Sequence, residues 1–208
     1  MDPAKRKWAC EVFGEHGAAA IALAAQPGSV LWTDDLVLAR IARSEHGISS
    51  IWTQALFQYL GEGGLLAGDR YCEASAKLLG LGYHFISTNV GVLLHAGRLS
   101  KWDPCASPLR EALEQFGDAG IEPGPVLQLA VALLRAIFSE LPLSTSREAI
   151  VRQFLASLAR RPNGRQEIKQ LLHAVPVIFA LATYHAKEAE LIIRAWLDRN
   201  RPNPFTIP

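Results

Sequence analysis

The stretch "SVLWTDDL", residues 29–36, is echoed by "SSIWTQAL", residues 49–56. Trp32 answers to Trp52, Thr33 to Thr53 and Leu36 to Leu56, while Asp34-Asp35 stand where the second copy has Gln54-Ala55. Each copy reads as a short apolar strand closed by a Trp-Thr pair and followed by a helical pattern. Such a unit occurring twice, with a crossover-length helix between the copies, constrains the chain more than any other feature. Two consecutive strands joined by a helix pair in parallel, because a hairpin needs no crossover. In a parallel sheet both strand ends and both helix N-termini lie at the same edge, where ligands bind. The two carboxylates of the first copy are therefore the candidate chemistry, and their capping of a helix over residues 34–45 is the purely structural alternative.

The surrounding pattern extends this unit. Residues 4–26 read as an Ala-rich helix ended by "QPGS", and "DDLVLARIARSEHG" as an amphipathic helix stopped at Gly47. "QALFQYLGEGG" and "GDRYCEASAKLLGLG" read as helices, the latter with Asp69 as its cap. "YHFIS" alternates as a third strand over 83–87, and Asn89 caps a short helix after it. Strands alternating with helices predict a parallel α/β layer over residues 1–105. Beyond "KWDPCASP" the strand signals stop. Residues 107–117, 123–140, 146–160, 164–182 and 186–199 read as helices, so 106–208 is an α-helical region, closed by the proline-rich "RPNPFTIP".

Composition limits the function classes. The 208 residues carry a net charge of +1, which gives no global field to recruit nucleic acid or membrane. Three cysteines with no C-x-x-C spacing form neither a disulfide framework nor a zinc motif. The apolar runs are too short to span a bilayer and no signal-peptide pattern opens the chain, which predicts a cytoplasmic protein. Ser49 and Ser50 have no G-x-S-x-G context. His185 and Glu188 share helical i, i+3 spacing, a common coincidence. Trp32 and Trp52 read as core residues. In "SREAIVRQFLASLARRPNG" Arg147, Arg152 and Arg161 fall off the apolar face, and Arg160, Arg161, Arg165 and Lys169 cluster at a helix junction that reads as solvated rather than as a phosphate site.

The order "VLWTDDLVLARIA", "HGISSIWTQALFQYL", "LLGLGYHFIS" resembles the C-terminal half of a PIN-like nuclease domain, over about residues 28–103. The resemblance implies an incomplete Rossmann-like parallel sheet followed by a helical segment. It implies an acidic pocket that binds Mg²⁺ or Mn²⁺ and hydrolyses RNA or single-stranded nucleic acid. In the family's T-x-D pattern Asp35 takes the acidic place, with Asp34 beside it and Thr33 as the companion hydroxyl. The family's first acidic strand has no counterpart here. Its absence would leave a sheet edge to be met by self-association, by a protein partner, or by the helix over 4–26. The second function class is a non-enzymatic protein-interaction module built on a reduced α/β layer and helices.

Overall fold

The computed structural model describes residues 3–83, 86–119, 122–141 and 144–201. Among them the architecture is helical, which overturns the predicted Rossmann-like α/β layer. Ten α-helices are present, and strand is confined to β1 (Leu31–Trp32) and β2 (Ser50–Ile51). The chain divides into two compact units, Met1–Tyr71 and Cys72–Pro208.

In the first unit α1 (Pro3–Ala24), kinked at Gly14, packs on β1 and on α2 (Leu36–His46), and α3 (Thr53–Glu62) follows β2. The two strands pair in parallel as the duplicated motif requires, with Leu31 opposite Ser50 and Trp32 opposite Ile51. The ladder is two residues long because each strand closes into a helix approach at once. Leu31 turns inward, 3% exposed, onto a core of Ile21, Ala24, Leu38, Ala42 and Ile48. Side chains alternate along a strand, so Trp32 turns outward and is 61% exposed, and Trp52, leading into α3, is 52% exposed. Neither is the core residue that its size suggested: the sheet has only one packed face. Gly47 ends α2 as expected. Its φ of 65° lets the Gly47 and Ile48 N–H groups turn back onto the Arg43 and Ala42 carbonyls.

No described residue of the expected third strand is in a strand. α4 (Gly68–Gly80) ends with the Gly82 N–H on Leu79 and the Tyr83 N–H on Leu78. Tyr83 is therefore consumed in closing a helix, and Ile86 and Ser87 are not in a strand. His84 and Phe85 of the expected strand, and the tail 202–208, lie outside the described residues. Asp69 sits inside the first turn of α4 and not at its cap.

The second unit holds α5 (Val90–Leu99), α6 (Leu109–Glu114) with a 3₁₀ turn at Gln115–Gly117, α7 (Pro123–Glu140), α8 (Ser144–Leu158), α9 (Gly164–Ile178) and α10 (Thr183–Arg199). Asn89 caps α5 through the Val92 N–H, as its sequence position predicts. Leu93, Leu109, Leu113, Leu133, Leu134, Ile137, Phe154, Leu155, Leu158 and Ile193 are fully or almost fully buried. Burial of this many branched and aromatic side chains is the main stabilising term.

Arg147 and Arg161 are buried, although the junction that holds Arg161 reads as solvated in the sequence. Arg147 pairs with Glu188 of α10 at 2.7 Å, donates to the Leu141 carbonyl and lies over the Phe138 ring. Arg161 pairs with Glu167 at 2.9 Å and donates to the Asp118 carbonyl. Arg160 donates to the Glu114 carbonyl, and Arg165 to the Leu197 and Asn200 carbonyls, where the α10 C-terminus leaves acceptors open. The basic cluster is thus a set of clamps on helix ends, a use that guanidinium geometry favours. Removing one side of a buried pair strands the other charge. Glu167→Ala is expected to cost about 3–5 kcal/mol in chemical denaturation, well beyond the loss from Glu190→Ala, whose partner Arg194 is exposed.

Candidate functional site

Thr33, Asp34 and Asp35 lie just past the C-terminal end of β1, where the duplicated motif placed them, and the structure gives each a defined task. The Asp35 Oδ1 accepts from the Val37 N–H at 2.8 Å and the Leu38 N–H at 3.0 Å, so Asp35 is the N-cap of α2. The Thr33 hydroxyl oxygen accepts from the Asp35 N–H at 3.1 Å and holds that cap in place. Asp34 does not serve its own helix. Its Oδ1 accepts from the Thr53 N–H at 2.8 Å, and its Oδ2 accepts from the Thr53 hydroxyl at 2.6 Å. Residue 52, which should cap α3, is a tryptophan and makes no side-chain cap. Asp34 reaches across from the first βα unit and supplies it.

Thr53 in turn accepts from the Trp32 indole N–H at 3.0 Å. A directed chain results: Trp32 donates to Thr53, and Thr53 donates to Asp34. The Leu31 and Thr33 N–H groups complete the junction by donating to the Ser49 and Ile51 carbonyls. The asymmetry of the two copies follows from this. One carboxylate caps each helix, and both carboxylates come from the first copy. At the corresponding places in the second copy, Gln54 is buried and donates to the Tyr71 hydroxyl, and Ala55 is half-buried.

These donors decide what the site can hold. Both Asp34 oxygens and one Asp35 oxygen already face protein N–H or O–H groups, leaving Asp35 Oδ2 as the carboxylate oxygen without a donor among the described residues. No group of three or more His, Cys, Asp or Glu side chains suited to a metal occurs among those residues. A Mg²⁺ ion takes one or two carboxylates in near-octahedral geometry, and these carboxylates are turned toward helix N-termini. With these donors in place, Asp34 and Asp35 do not fit a resident metal.

A second feature was missed in the sequence. α7 has Val126, Ala130, Leu133, Leu134, Ala136 and Ile137 in the core, while half-buried Leu127, Val131 and Ala132 line a groove of about 850 Å³ that Val90 and Leu94 of α5 complete. Arg135 also lines it and makes no hydrogen bond or ion pair among the described residues. The signal was present: "PGPVLQLAVALLRAIFSE" has one charge before its last residue. A helix apolar on all sides belongs inside a bundle, and this one is only half-covered along its groove side.

No family model, curated protein or solved structure matches the chain. No helix among the described residues is long and apolar enough to cross a membrane.

The hydrogen-bond chain separates the two aspartates by their neutral isosteres. Asp35→Asn keeps an acceptor for the α2 N–H groups and should change stability by only a few tenths of a kcal/mol. Asp34→Asn presents an NH₂ group to the Thr53 hydroxyl, reverses the direction of that bond, and should cost about 1–2 kcal/mol. Thermal or urea unfolding of the two variants measures the difference.

Proposed function

We propose that the chain is a non-enzymatic protein-interaction module built on helices. The observation that carries this reading is the groove of about 850 Å³ along α7, with Leu127, Val131 and Ala132 half-buried in its lining. A helix that is apolar all round and only half-covered along one groove offers a surface that a partner can complete. Thr33, Asp34 and Asp35 support the same reading from the other direction. Their hydrogen bonds make them the junction of two βα units, and that task alone accounts for both carboxylates.

A degenerate PIN-like nuclease, binding Mg²⁺ or Mn²⁺ at Asp34 and Asp35 and acting on RNA, is the second reading. Its favouring observation is the pair of adjacent carboxylates beyond a parallel strand, where such sheets bind ligands. The caps count against it, since a metal would have to compete with the Thr53, Val37 and Leu38 donors.

Two measurements separate the readings. Calorimetry with Mn²⁺ should give the same negligible heat for the wild type and for Asp35→Asn; a saturable heat lost in the variant would restore the metal site. Isolated under native conditions from cells that express it with a tag, the chain should run as a complex larger than its own 22.7 kDa. Val131→Glu, in the groove lining, should dissolve that complex without changing helix content. A complex indifferent to Val131→Glu would remove the basis of the interaction reading.

A further inference from the structure

The packing of α3 is inverted. Its two buried residues, Thr53 and Gln54, are polar, and each is tied down within its own unit: Thr53 to Asp34 and Trp32, Gln54 to the Tyr71 hydroxyl. None of its apolar residues is buried. Trp52, Leu56 and Tyr59 stand at i, i+4 and i+7, which sets them on one side of the helix. Trp52 is 52% exposed and Tyr59 67%, with half-buried Leu56 between them. At 1.5 Å per residue the stripe is about 10 Å long. The exposed Trp32 ring stands at its Trp52 end, since the indole N–H reaches Thr53 at 3.0 Å. Exposed Trp and Tyr grouped in this way are the residues that most often anchor an interface.

Charge indicates what can cover the stripe. No Lys or Arg occurs between Arg43 and Arg70, a span that carries Glu45, Glu62 and Asp69. Glu62 is exposed at the C-terminal end of α3. Asp35, near the Trp32 end, is also exposed, and its Oδ2 has no donor among the described residues. The faces of aromatic rings attract cations too. An aromatic stripe with carboxylates at both ends and no base of its own repels phosphate and accepts Lys or Arg. We propose that α3 is the docking face for a basic amphipathic helix of another protein. Its apolar side lies on Trp52, Leu56 and Tyr59, and its cations reach Glu62, Asp35 and the ring of Trp32. Anchors at i, i+4 and i+7 are the spacing by which one helix reads another. The inference rests on the interaction reading and adds a surface and a partner chemistry that the α7 groove does not supply.

The probes are two fluorescent peptides of about 14 residues, long enough to span the stripe and both carboxylates. One is made of Leu and Lys, the other of Leu and Glu, with Leu at the same helical spacing in both. Each is titrated with the full chain and followed by anisotropy. The Lys peptide should bind saturably and about tenfold or more tighter than the Glu peptide. Trp52→Ala and Tyr59→Ala, at exposed positions, should each weaken it about tenfold with unchanged circular dichroism. Glu62→Gln should weaken it about threefold. If Trp52→Ala unfolds the unit, Tyr59→Ala and Glu62→Gln decide. Equal binding of the two peptides overturns the charge argument, and a Lys peptide that does not bind overturns the occupant. Binding indifferent to Tyr59→Ala overturns the surface. A chain that dimerises by itself through Tyr59 assigns the stripe to a second copy and overturns the proposed partner. If the Lys peptide fails while the tagged chain still forms its Val131-dependent complex, the interaction reading stands and this inference falls alone.

Discussion

The N-terminal unit depends on one carboxylate that acts away from its own helix. Asp34 binds both the N–H and the hydroxyl of Thr53, 19 residues ahead. A helix N-terminus carries orphan N–H groups and a positive dipole end. α3 begins directly after Trp52 and has no local cap, so it takes one from the preceding βα unit. A ladder of two residues per strand contributes little by itself, and an isolated pair of strands is marginal in water. The charge-assisted bonds at its end, with the Trp32 indole aimed at Thr53, fix the register that the ladder is too short to fix. The core formed by α1, β1 and α2 can then place Leu31 inward and leave Trp32 outward.

The sequence made some of this legible. The duplicated motif announced parallel pairing, and Leu31–Trp32 does pair with Ser50–Ile51. Helix ends with a local chemical cause were also readable. Gly47 and Asn89 act within a few residues of their own backbone, and a helix over 123–140 coincides with Pro123–Glu140. What misled was a short apolar run. "YHFIS" has the alternation of a strand, but periodicity over five residues cannot weigh the pull of an adjacent helix end, and Tyr83 closes α4. A fold-class reading that needed a third strand failed with it.

Pairings distant in sequence were not legible either. The pattern showed that Asp34 and Asp35 could cap a helix, and it assigned both to the same one. Nothing local reveals that α3 lacks a cap and that Asp34 can reach it. Arg147 and Arg161 fell off the apolar face in a helical projection, and the junction around Arg161 read as solvated. Their partners, Glu188 and Glu167, become visible only when α10 and the first turn of α9 are in place. Trp32 and Trp52 looked like core residues because large aromatics usually are, but a sheet with a single packed face leaves its other side chains outside. The same reasoning applied to α7 would have succeeded, since an 18-residue helix with Arg135 and Glu140 as its only charges states its surroundings in its composition.

The account of the N-terminal unit turns on whether Asp34 and Thr53 stabilise it jointly. A double-mutant cycle with Asp34→Ala, Thr53→Val and the double variant, followed by urea unfolding, measures that coupling. The structure predicts a coupling of about 1–2 kcal/mol, since the double variant loses the side-chain bond only once. Additive losses, with no coupling, would show that Asp34 does not hold the Thr53 hydroxyl and would contradict the hydrogen-bond chain that joins the two copies of the motif.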